Sequence, residues 1–464
     1  MVQQQLLYIN SDLALQSYRF YKNVNTLPFT NTTALLGSNL AHKQLRFKHF
    51  DLSDLDSLRI GSSVSRDILV ATPISNIVSC LEDLRFLEAL GFDMKIITSS
   101  EFWNKKSTPE LHLKTFNTTE VIKYQPVNKP GNLEFYKDKT ILITGAGGSI
   151  GNELLDYIKG IKFNKLILLD HSEYAIHHLK LKIRNESDAN IEIVIGSIRD
   201  KNKLRTIFTK YAINIVFHLA AYKHVGIMEA DPYEAFKCNV IGTKNLLDLS
   251  DQFEVSQFNF ISTDKAVNPL GVMGLTKKLA ESYMLNYKSN TKVTVLRFGN
   301  VFGSSGSVVE NFESAISKNA TLRISHKHMK RYFTLPKDIA SFIMSSPLYA
   351  NHKDTMVFNV SEQTSILDLA KVILLLKGYP NNFNYPIEIT NSKNQEKLQE
   401  ELYNPNELVK NTECNQINRI PFTVEDNNII EQIQSFNTLL NKYPERVSFE
   451  LLQSLYKKTK IIKA

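Results

Sequence analysis

From residue 140 to about residue 300 the chain alternates short apolar runs with helix-length segments. The apolar runs are residues 141–143, 166–169, 191–195, 215–219, 258–261 and 293–298. Buried strands that are separated by helices are typical of a parallel sheet with helices on both faces. The pattern therefore predicts an α/β fold built on a Rossmann-type, doubly wound parallel sheet.

A smaller alternation precedes this one and lacks a glycine-rich turn. Apolar runs at residues 6–9, 68–71 and 94–98 accompany a helix-like stretch at 77–90, which stops at Gly91. Glycine is a common helix stop. The order of strands and helix predicts a small N-terminal α/β domain.

Breaks in the pattern divide the chain into three expected regions. Pro130 and Gly131 lie in a polar stretch typical of a linker. After about residue 303 the alternation becomes irregular, as expected for a smaller C-terminal substrate region. We expect an N-terminal domain over residues 1–126, a large α/β domain over 127–422 and a tail of polar helices over 423–464.

Composition narrows the class of protein. Of the 464 residues, 43% are apolar and 22% charged, which is ordinary for a globular chain and excludes a disordered one. The formal charge of +8 is scattered, so it favours anionic ligands weakly and gives no reason to expect nucleic-acid binding. Cys80, Cys238 and Cys414 are far apart, which argues against a disulfide framework or a metal site. Because the sequence shows no signal peptide and no membrane-length apolar run, we expect a cytoplasmic protein.

A glycine-rich turn follows the run at 141–143 and precedes a helical pattern. It reads Thr-Gly-Ala-Gly-Gly-Ser-Ile-Gly over residues 144–151. Glycines there allow the backbone to approach a dinucleotide pyrophosphate, and the helix start supplies N–H donors. Asp170 ends the next strand, where a carboxylate binds the adenosine ribose and repels a 2′-phosphate. The glycine-rich turn and Asp170 together predict NAD rather than NADP.

A second polar cluster follows the run at 258–261. Thr263, Asp264 and Lys265 place a hydroxyl, a carboxylate and an ammonium at a strand end, where ligands bind in open α/β sheets. Met273 and Lys277 are four residues apart in a helical stretch and therefore share one face. Short-chain dehydrogenases have a Tyr-x-x-x-Lys pair at this spacing, and methionine stands here in the tyrosine position.

Several motifs in order resemble one branch of a known family. They are ILITGAGGSIGNEL, FHLAAYKHVGIMEADPYEAFKCNVIGT, ISTDKAVNPLGVMGLTKKLAE, RFGNVFGSSGSVV and KRYFTLPKDIA. Together they look like the polysaccharide-biosynthesis branch of the extended short-chain dehydrogenase/reductases, and more narrowly like UDP-N-acetylglucosamine 4,6-dehydratases, which include members with methionine in the tyrosine position. The resemblance covers about residues 120–420. It implies bound NAD, a UDP-sugar substrate such as UDP-GlcNAc and a homodimer or larger assembly, with pairing through the helix that carries Met273.

The resemblance also implies a set of site residues. The residues expected to bind the cofactor are Gly145, Gly148, Ser149, Ile150, Gly151, Asp170, Ser197, Ile198, Ala220, Ala221, Tyr222 and Lys277. Those expected near the substrate are Lys223, His224, Asn300, Ser307, Arg331 and Lys393. Thr263, Asp264, Lys265, Met273 and Lys277 form the expected catalytic set.

Such an enzyme oxidises the sugar at C4, removes the C5 proton and the C6 hydroxyl, and returns hydride to C6. We assign Asp264 as the acid for the C6 hydroxyl and Lys265 as the base at C5, which requires a lowered lysine pKa. Because Met273 cannot accept the C4 hydroxyl proton, Thr263, Asp264 or a water held by Lys277 must do so.

Two other functions are considered. A nucleotide-sugar C4 epimerase or reductase would need no Asp264–Lys265 pair and usually retains the tyrosine. A catalytically silent nucleotide-sugar-binding protein would need none of the retained Asp264, Lys265 and Lys277 side chains.

The C-terminal region departs from the family pattern at Lys393. The family usually has arginine there, in Arg-Pro-Gly, so the positive charge is kept but the planar guanidinium is lost.

Overall fold

The computed structural model describes the backbone of five N-terminal strands and the continuous segments of residues 132–461. The segments 184–189, 361, 377–384, 391–395 and 424–427 are outside the described residues. The chain divides into two compact units. One comprises Met1–Lys123, Asn311–His328 and Thr364–Thr390, and the other Tyr124–Glu310, Met329–Gln363 and Asn391–Ala464.

The N-terminal strands form a five-stranded parallel sheet. They are β1 (Gln4–Ile9), β2 (Thr32–Leu36), β3 (His49–Asp51), β4 (Val64–Ala71) and β5 (Asp93–Ile97). Their order is β3-β2-β1-β4-β5. Strands β1, β4 and β5 confirm the three apolar runs, whereas β2 and β3 were not predicted. The helix predicted at 77–90 lies outside the described residues.

The second unit is built on a nine-stranded sheet. The strands of this sheet are β6 (Thr140–Thr144), β7 (Lys165–Asp170), β8 (Ile191–Ile195), β9 (Ile215–His218), β10 (Gln257–Thr263), β11 (Lys292–Phe298), β16 (Asp354–Phe358), β19 (Lys410–Asn411) and β20 (Ile417–Ile420). The short strands outside this sheet are β12 (Asn300–Val301), β13 (Leu322–Ile324), β14 (Lys330–Arg331), β15 (Phe333–Thr334), β17 (Thr364–Ser365) and β18 (Ile387–Ile389). The sheet order is β8-β7-β6-β9-β10-β11-β16-β20-β19. All neighbours pair in parallel except at β20, which is antiparallel to β16 and β19. The first six strands follow the Rossmann order, so the fold class is confirmed.

Helices connect these strands and continue to the C-terminus. They are α1 (Ser149–Ile158), α2 (Glu173–Lys182), α3 (Lys201–Lys210), α4 (Val225–Ala230), α5 (Pro232–Phe236), α6 (Thr243–Gln252), α7 (Val272–Asn286), α8 (Val308–Ser317), α9 (Pro336–Tyr349), α10 (Ile366–Leu376), α11 (Ile429–Lys442) and α12 (Phe449–Ile461). Residues Lys237–Gly242 form a π-helical turn between α5 and α6.

The large sheet buries both of its faces. Successive residues of β6 point to opposite sides, so Leu142 belongs to one buried apolar cluster and Ile141 and Ile143 to the other. Leu166 and Ile167 of β7 divide in the same way. Strands that are covered on both faces read as continuous apolar runs rather than as alternating patterns, which is why the sequence revealed them.

The two C-terminal helices pack against α7. Ile433 and Leu440 of α11 and Leu452 of α12 are fully buried in the cluster that also contains Leu279 and Tyr283 of α7. The tail predicted as polar helices is therefore helical, with one apolar face on each helix. Among the described residues, no helix is long and apolar enough to cross a membrane.

Candidate active site

The glycine-rich turn lies at the switch point of the large sheet, between the ends of β6 and β9. Gly145 has a φ of +71°, and a Cβ built on it would lie 2.7 Å from the backbone nitrogen of Ala220. Both observations exclude a side chain there. Gly148 caps α1, and the N–H groups at the start of this helix face the turn. Gly151 packs on Ala146, and Ile150 is half-buried against the apolar core.

Asp170 is tied to this turn. Its Oδ2 accepts a hydrogen bond of 2.9 Å from the Gly147 N–H, and its Oδ1 accepts one of 3.0 Å from the Ser172 N–H. The residue is buried. Since a carboxylate oxygen accepts more than one hydrogen bond, both oxygens keep capacity for ribose hydroxyls. The turn and the carboxylate thus fit an NAD adenosine and pyrophosphate.

An asparagine that the sequence analysis missed shapes the opposite side of the crevice. Asn239, in the π-helical turn, is buried and accepts from the Tyr222 N–H at 2.8 Å while donating to the Tyr222 carbonyl at 3.0 Å. Its amide also donates to Thr276 Oγ1 at 3.1 Å. The available signal was a polar residue within the apolar stretch Cys238–Ile241. Asn239 fixes the segment Ala220–Tyr222 after β9, where cofactor contacts were predicted.

A buried histidine lies beneath the crevice. His218 Nδ1 is 2.8 Å from Thr144 Oγ1, and Nε2 is 2.9 Å from Thr243 Oγ1. Burial, together with the nearby Lys277, holds the pKa of His218 well below its ordinary value. This neutral ring therefore links β6, β9 and α6 and has a structural role.

The predicted substrate residues Lys223, His224 and Ser307 lie close to the glycine-rich turn. Lys223 Nζ donates to the carbonyl of Ser305 at 2.7 Å, and the Ser305 N–H donates to Ser149 Oγ at 3.0 Å. His224 packs against Gly306, and Ser307 Oγ accepts from the Glu310 N–H at 3.3 Å. The structure therefore brings Lys223, through Ser305, to Ser149 of the glycine-rich turn and places His224 against Gly306.

Ser197 and Ile198 follow β8, and their contacts are local. Ser197 Oγ accepts from the Arg199 N–H at 3.2 Å. Ile198 is buried, and a Cβ on Gly242 would lie 2.5 Å from its Cδ1. The side chain of Ile198 thus packs against the π-helical turn.

The acid/base cluster is assembled at the end of β10. Lys265 Nζ donates to Asp264 Oδ1 at 3.0 Å and to Asn300 Oδ1 at 2.9 Å, and it lies 3.5 Å from Glu400 Oε1. Thr263 Oγ1 donates to Asp264 Oδ1 at 2.9 Å. Asp264 itself is 0% exposed, whereas Thr263 and Lys265 are partly exposed. The hydroxyl and the ammonium are therefore the accessible members of the cluster.

The charge state of Lys265 differs from the sequence-based expectation. Burial works to lower the pKa of its ammonium, but the carboxylates of Asp264 and Glu400 outweigh burial and the nearby Arg331, so the pKa is raised. The expectation of a lowered pKa was wrong for this arrangement of charges, because the adjacent Asp264 and the distant Glu400 together stabilise the ammonium more than burial destabilises it.

Lys277 has the opposite character. Its Nζ donates to the carbonyl of Ile261 at 2.5 Å and lies 3.9 Å from the centre of the Phe260 ring. Burial lowers the pKa of Lys277 to about 7. Met273, one turn earlier on α7, is 5% exposed and packs in the core. Helix α7 thus places the apolar side chain of Met273 one turn before Lys277, whose ammonium loses its proton near neutral pH.

Arg331 and Glu400 form the far wall of the cluster. Arg331 is buried, and its Nη1 donates to the carbonyls of Lys330 at 2.8 Å and Lys397 at 2.9 Å. Its Nε lies 3.5 Å from Glu400 Oε1. The phosphate contact predicted for Arg331 stays a prediction, and Lys393 lies outside the described residues. The described residues contain no group of side chains suited to a metal ion.

Comparisons with known proteins agree with this architecture. The sequence model of a family described as polysaccharide biosynthesis protein matches residues 141–421. The chain is 40% identical over 276 residues to the probable polysaccharide biosynthesis protein EpsC of Bacillus subtilis, which is 59% of this chain and 46% of EpsC. The chain thus spans about half the length of that relative.

Two further proteins are similar over most of their own length. A UDP-glucose 4-epimerase of Rickettsia bellii is 32% identical over 304 residues, which cover 63% of this chain and 86% of the epimerase. The solved structure of Pen from Bacillus thuringiensis superimposes with a TM-score of 0.58 at 30% identity, covering 63% of this chain and 90% of Pen.

Proposed function

Because the chain belongs to the polysaccharide biosynthesis protein family, we propose that it is an NAD-dependent 4,6-dehydratase of a UDP-N-acetylhexosamine, with UDP-GlcNAc as substrate. The product is a 4-keto-6-deoxy sugar nucleotide for surface-glycan synthesis. The observation that carries the proposal is the contact of 3.0 Å between Lys265 Nζ and Asp264 Oδ1 at the end of β10. Elimination of water across C5 and C6 needs a base at the C5 proton and an acid at the C6 hydroxyl, close to each other.

The residues of the crevice suit NAD. Gly145 and the start of α1 would hold the pyrophosphate, Asp170 the adenosine ribose and Lys277 the nicotinamide ribose. NAD held by these residues would supply hydride transfer from C4 and back to C6 of the sugar. The protein contributes the orientation of the sugar and the movement of protons.

The proton steps can be written with the side chains of this cluster. Transfer of a proton from Lys265 to Asp264 leaves a neutral amine and a neutral acid. The amine removes the C5 proton, while the acid protonates the departing C6 hydroxyl through Thr263 Oγ1, which contacts Asp264 at 2.9 Å. Water leaves, Lys265 returns its proton to C5, and the proton released from the C4 hydroxyl restores the ammonium of Lys265. Since burial lowers the pKa of Lys277 to about 7, a water held by this lysine is the favoured acceptor of the C4 hydroxyl proton.

A product assay tests this proposal. Purified protein that is given UDP-GlcNAc should form a 4-keto-6-deoxy sugar without net formation of NADH, because hydride leaves and returns in each turnover. NMR of the product reports the substrate accepted, the reaction and the C5 configuration together. Formation of the C4 epimer alone, or unchanged substrate, would contradict dehydration.

The rival function is C4 epimerisation, which the similarity to a UDP-glucose 4-epimerase favours. An epimerase needs neither a base at C5 nor an acid at C6. Met273 and the Asp264–Lys265 pair are therefore the features that favour dehydration. The same NMR experiment separates the two functions.

Replacing Asp170 by alanine should weaken NAD binding by about 10- to 100-fold, since hydrogen bonds to a charged group contribute about 1.5–3 kcal/mol. Calorimetric titration with NAD measures the change in Kd. Asp156→Ala is the matched control, because Asp156 is exposed on α1 and contacts Lys182 at 2.8 Å. An unchanged Kd for Asp170→Ala would show that the ribose contact is misassigned.

A further inference from the structure

We infer that Glu400 is a positioning residue that controls where the proton lies in the Asp264–Lys265 pair, and that the active form of the site has Glu400 protonated. The inference rests on the proposed function, because the proton distribution matters only if Lys265 acts as a base. Glu400 belongs to the segment Glu-Lys-Leu-Gln-Glu-Glu at residues 396–401, which follows Lys393, the residue that stands in place of the usual arginine.

The position of Glu400 is fixed by its backbone. The Glu400 N–H donates to Gln363 Oε1 at 3.2 Å, and Gln363 Nε2 donates to the Glu400 carbonyl at 3.0 Å. The neighbouring Leu398 carbonyl accepts from the Lys330 N–H at 2.8 Å. Glu400 is 4% exposed. A carboxyl group is thus held in the interior by its own backbone contacts.

The side chain of Glu400 lies between two cations. Its Oε1 is 3.5 Å from Lys265 Nζ and 3.5 Å from Arg331 Nε. Among the described residues, Glu400 Oε2 and Asp264 Oδ2 are buried oxygens without a hydrogen-bond partner. A buried ionised oxygen without a partner is costly, so burial favours the protonated form of the Glu400 carboxyl.

The charges that face Glu400 act in both directions. Burial and the carboxylate of Asp264 raise its pKa, while Lys265, Arg331 and Lys397 oppose the shift, and the net direction is upward. Lys397 itself contacts Glu401 at 2.6 Å and the Val267 carbonyl at 2.6 Å. These are the charged groups that surround the Glu400 carboxyl.

The charge on Glu400 decides whether Lys265 can act as a base. An ionised Glu400 stabilises the ammonium, so the proton remains on Nζ and C5 is not deprotonated. A neutral Glu400 removes that stabilisation, and the proton moves to Asp264, which creates the amine and the acid that the elimination requires. No atom or electron is gained or lost in this shift, because one proton moves from Nζ to the carboxylate.

The test is the pH dependence of deuterium exchange at C5 in Glu400→Gln. In the wild type, exchange should fall as the pH rises through the pKa of Glu400. Glutamine cannot ionise, so the variant should lose this fall and exceed the wild-type exchange rate by about tenfold or more on the alkaline side, because an adjacent charge shifts a pKa by about 1–3 units. Glu401→Gln is the matched control and should follow the wild-type profile.

The outcomes separate the two proposals. If the wild type exchanges at C5 and Glu400→Gln falls along the same pH profile, Glu400 has only a structural role and the inference is overturned. If the wild type forms no 4-keto-6-deoxy sugar, the proposed function fails and the inference fails with it.

Infrared spectra of wild-type protein labelled with 13C-glutamate report the protonation of its glutamates, and this measurement does not depend on folding of the variant. A protonated glutamate over the pH range in which C5 exchange is fast supports the inference, and ionisation of every glutamate throughout that range overturns it.

Discussion

Replacing Lys265 by methionine should lower the rate of dehydration by about 10²- to 10⁴-fold, the usual contribution of a positioned acid or base. Methionine keeps the length of the side chain but accepts no proton. The variant also removes the cation that lies 3.0 Å from Asp264 Oδ1. Exchange of the C5 proton with deuterium in the solvent should disappear together with product formation.

The control for this variant is Lys182→Met. Lys182 lies on α2 and is 41% exposed, and its Nζ donates to the carboxylate of the exposed Asp156 at 2.8 Å. It should retain wild-type exchange and turnover. If exchange at C5 persisted in Lys265→Met, another group would be the base, and the assignment of Lys265 would be wrong.

The second large effect is expected for stability, at Arg297. This residue is 1% exposed, and its guanidinium lies 3.2 Å from Glu281 and 3.0 Å from Glu407. Arg297→Met should lower the free energy of unfolding by about 3–5 kcal/mol, because it leaves the fully buried Glu281 without its main partner. Urea denaturation measures the loss. The double variant Arg297→Met with Glu281→Gln should recover much of it, and equal losses in both variants would contradict the argument.

The same ion pair predicts a pH dependence. Burial alone would raise the pKa of Glu281, but Arg297 and Lys278 lower it to about 2. A depressed carboxylate pKa stabilises the folded state above the ordinary value of about 4.3. The wild type should therefore lose this stabilisation as the pH falls from about 4.3 towards 2, and the double variant should lose less over that range.

Features that depend on neighbouring residues in the chain were predictable from the sequence. The apolar runs predicted the strands of the large sheet, because a strand that is buried on both faces is a short apolar run bounded by turn residues. The turn at 144–151 lies where its pattern predicted it, between β6 and α1. Thr263, Asp264 and Lys265 are consecutive, so their proximity needed only the end of β10.

Features that depend on distant segments were not predictable in this way. Glu400 reaches Lys265 from a segment more than a hundred residues away, and Asn239 reaches Tyr222 from a turn whose π-helical form the sequence pattern does not reveal. The raised pKa of Lys265, which Asp264 and then Glu400 bring about against burial, was missed as well. Electrostatic environments arise from packing and are set by whichever charges the fold assembles.

The packing of α11 and α12 against α7 has a consequence for the assembly of two copies. Phe236 and Phe436 meet at 5.1 Å, and Lys237 Nζ donates at 3.0 Å to both Asn437 and Asn441, so α11 is attached to the chain by apolar and polar contacts. Pairing of two copies through α7, which the sequence resemblance implies, would therefore have to accommodate the C-terminal helices that already pack on it.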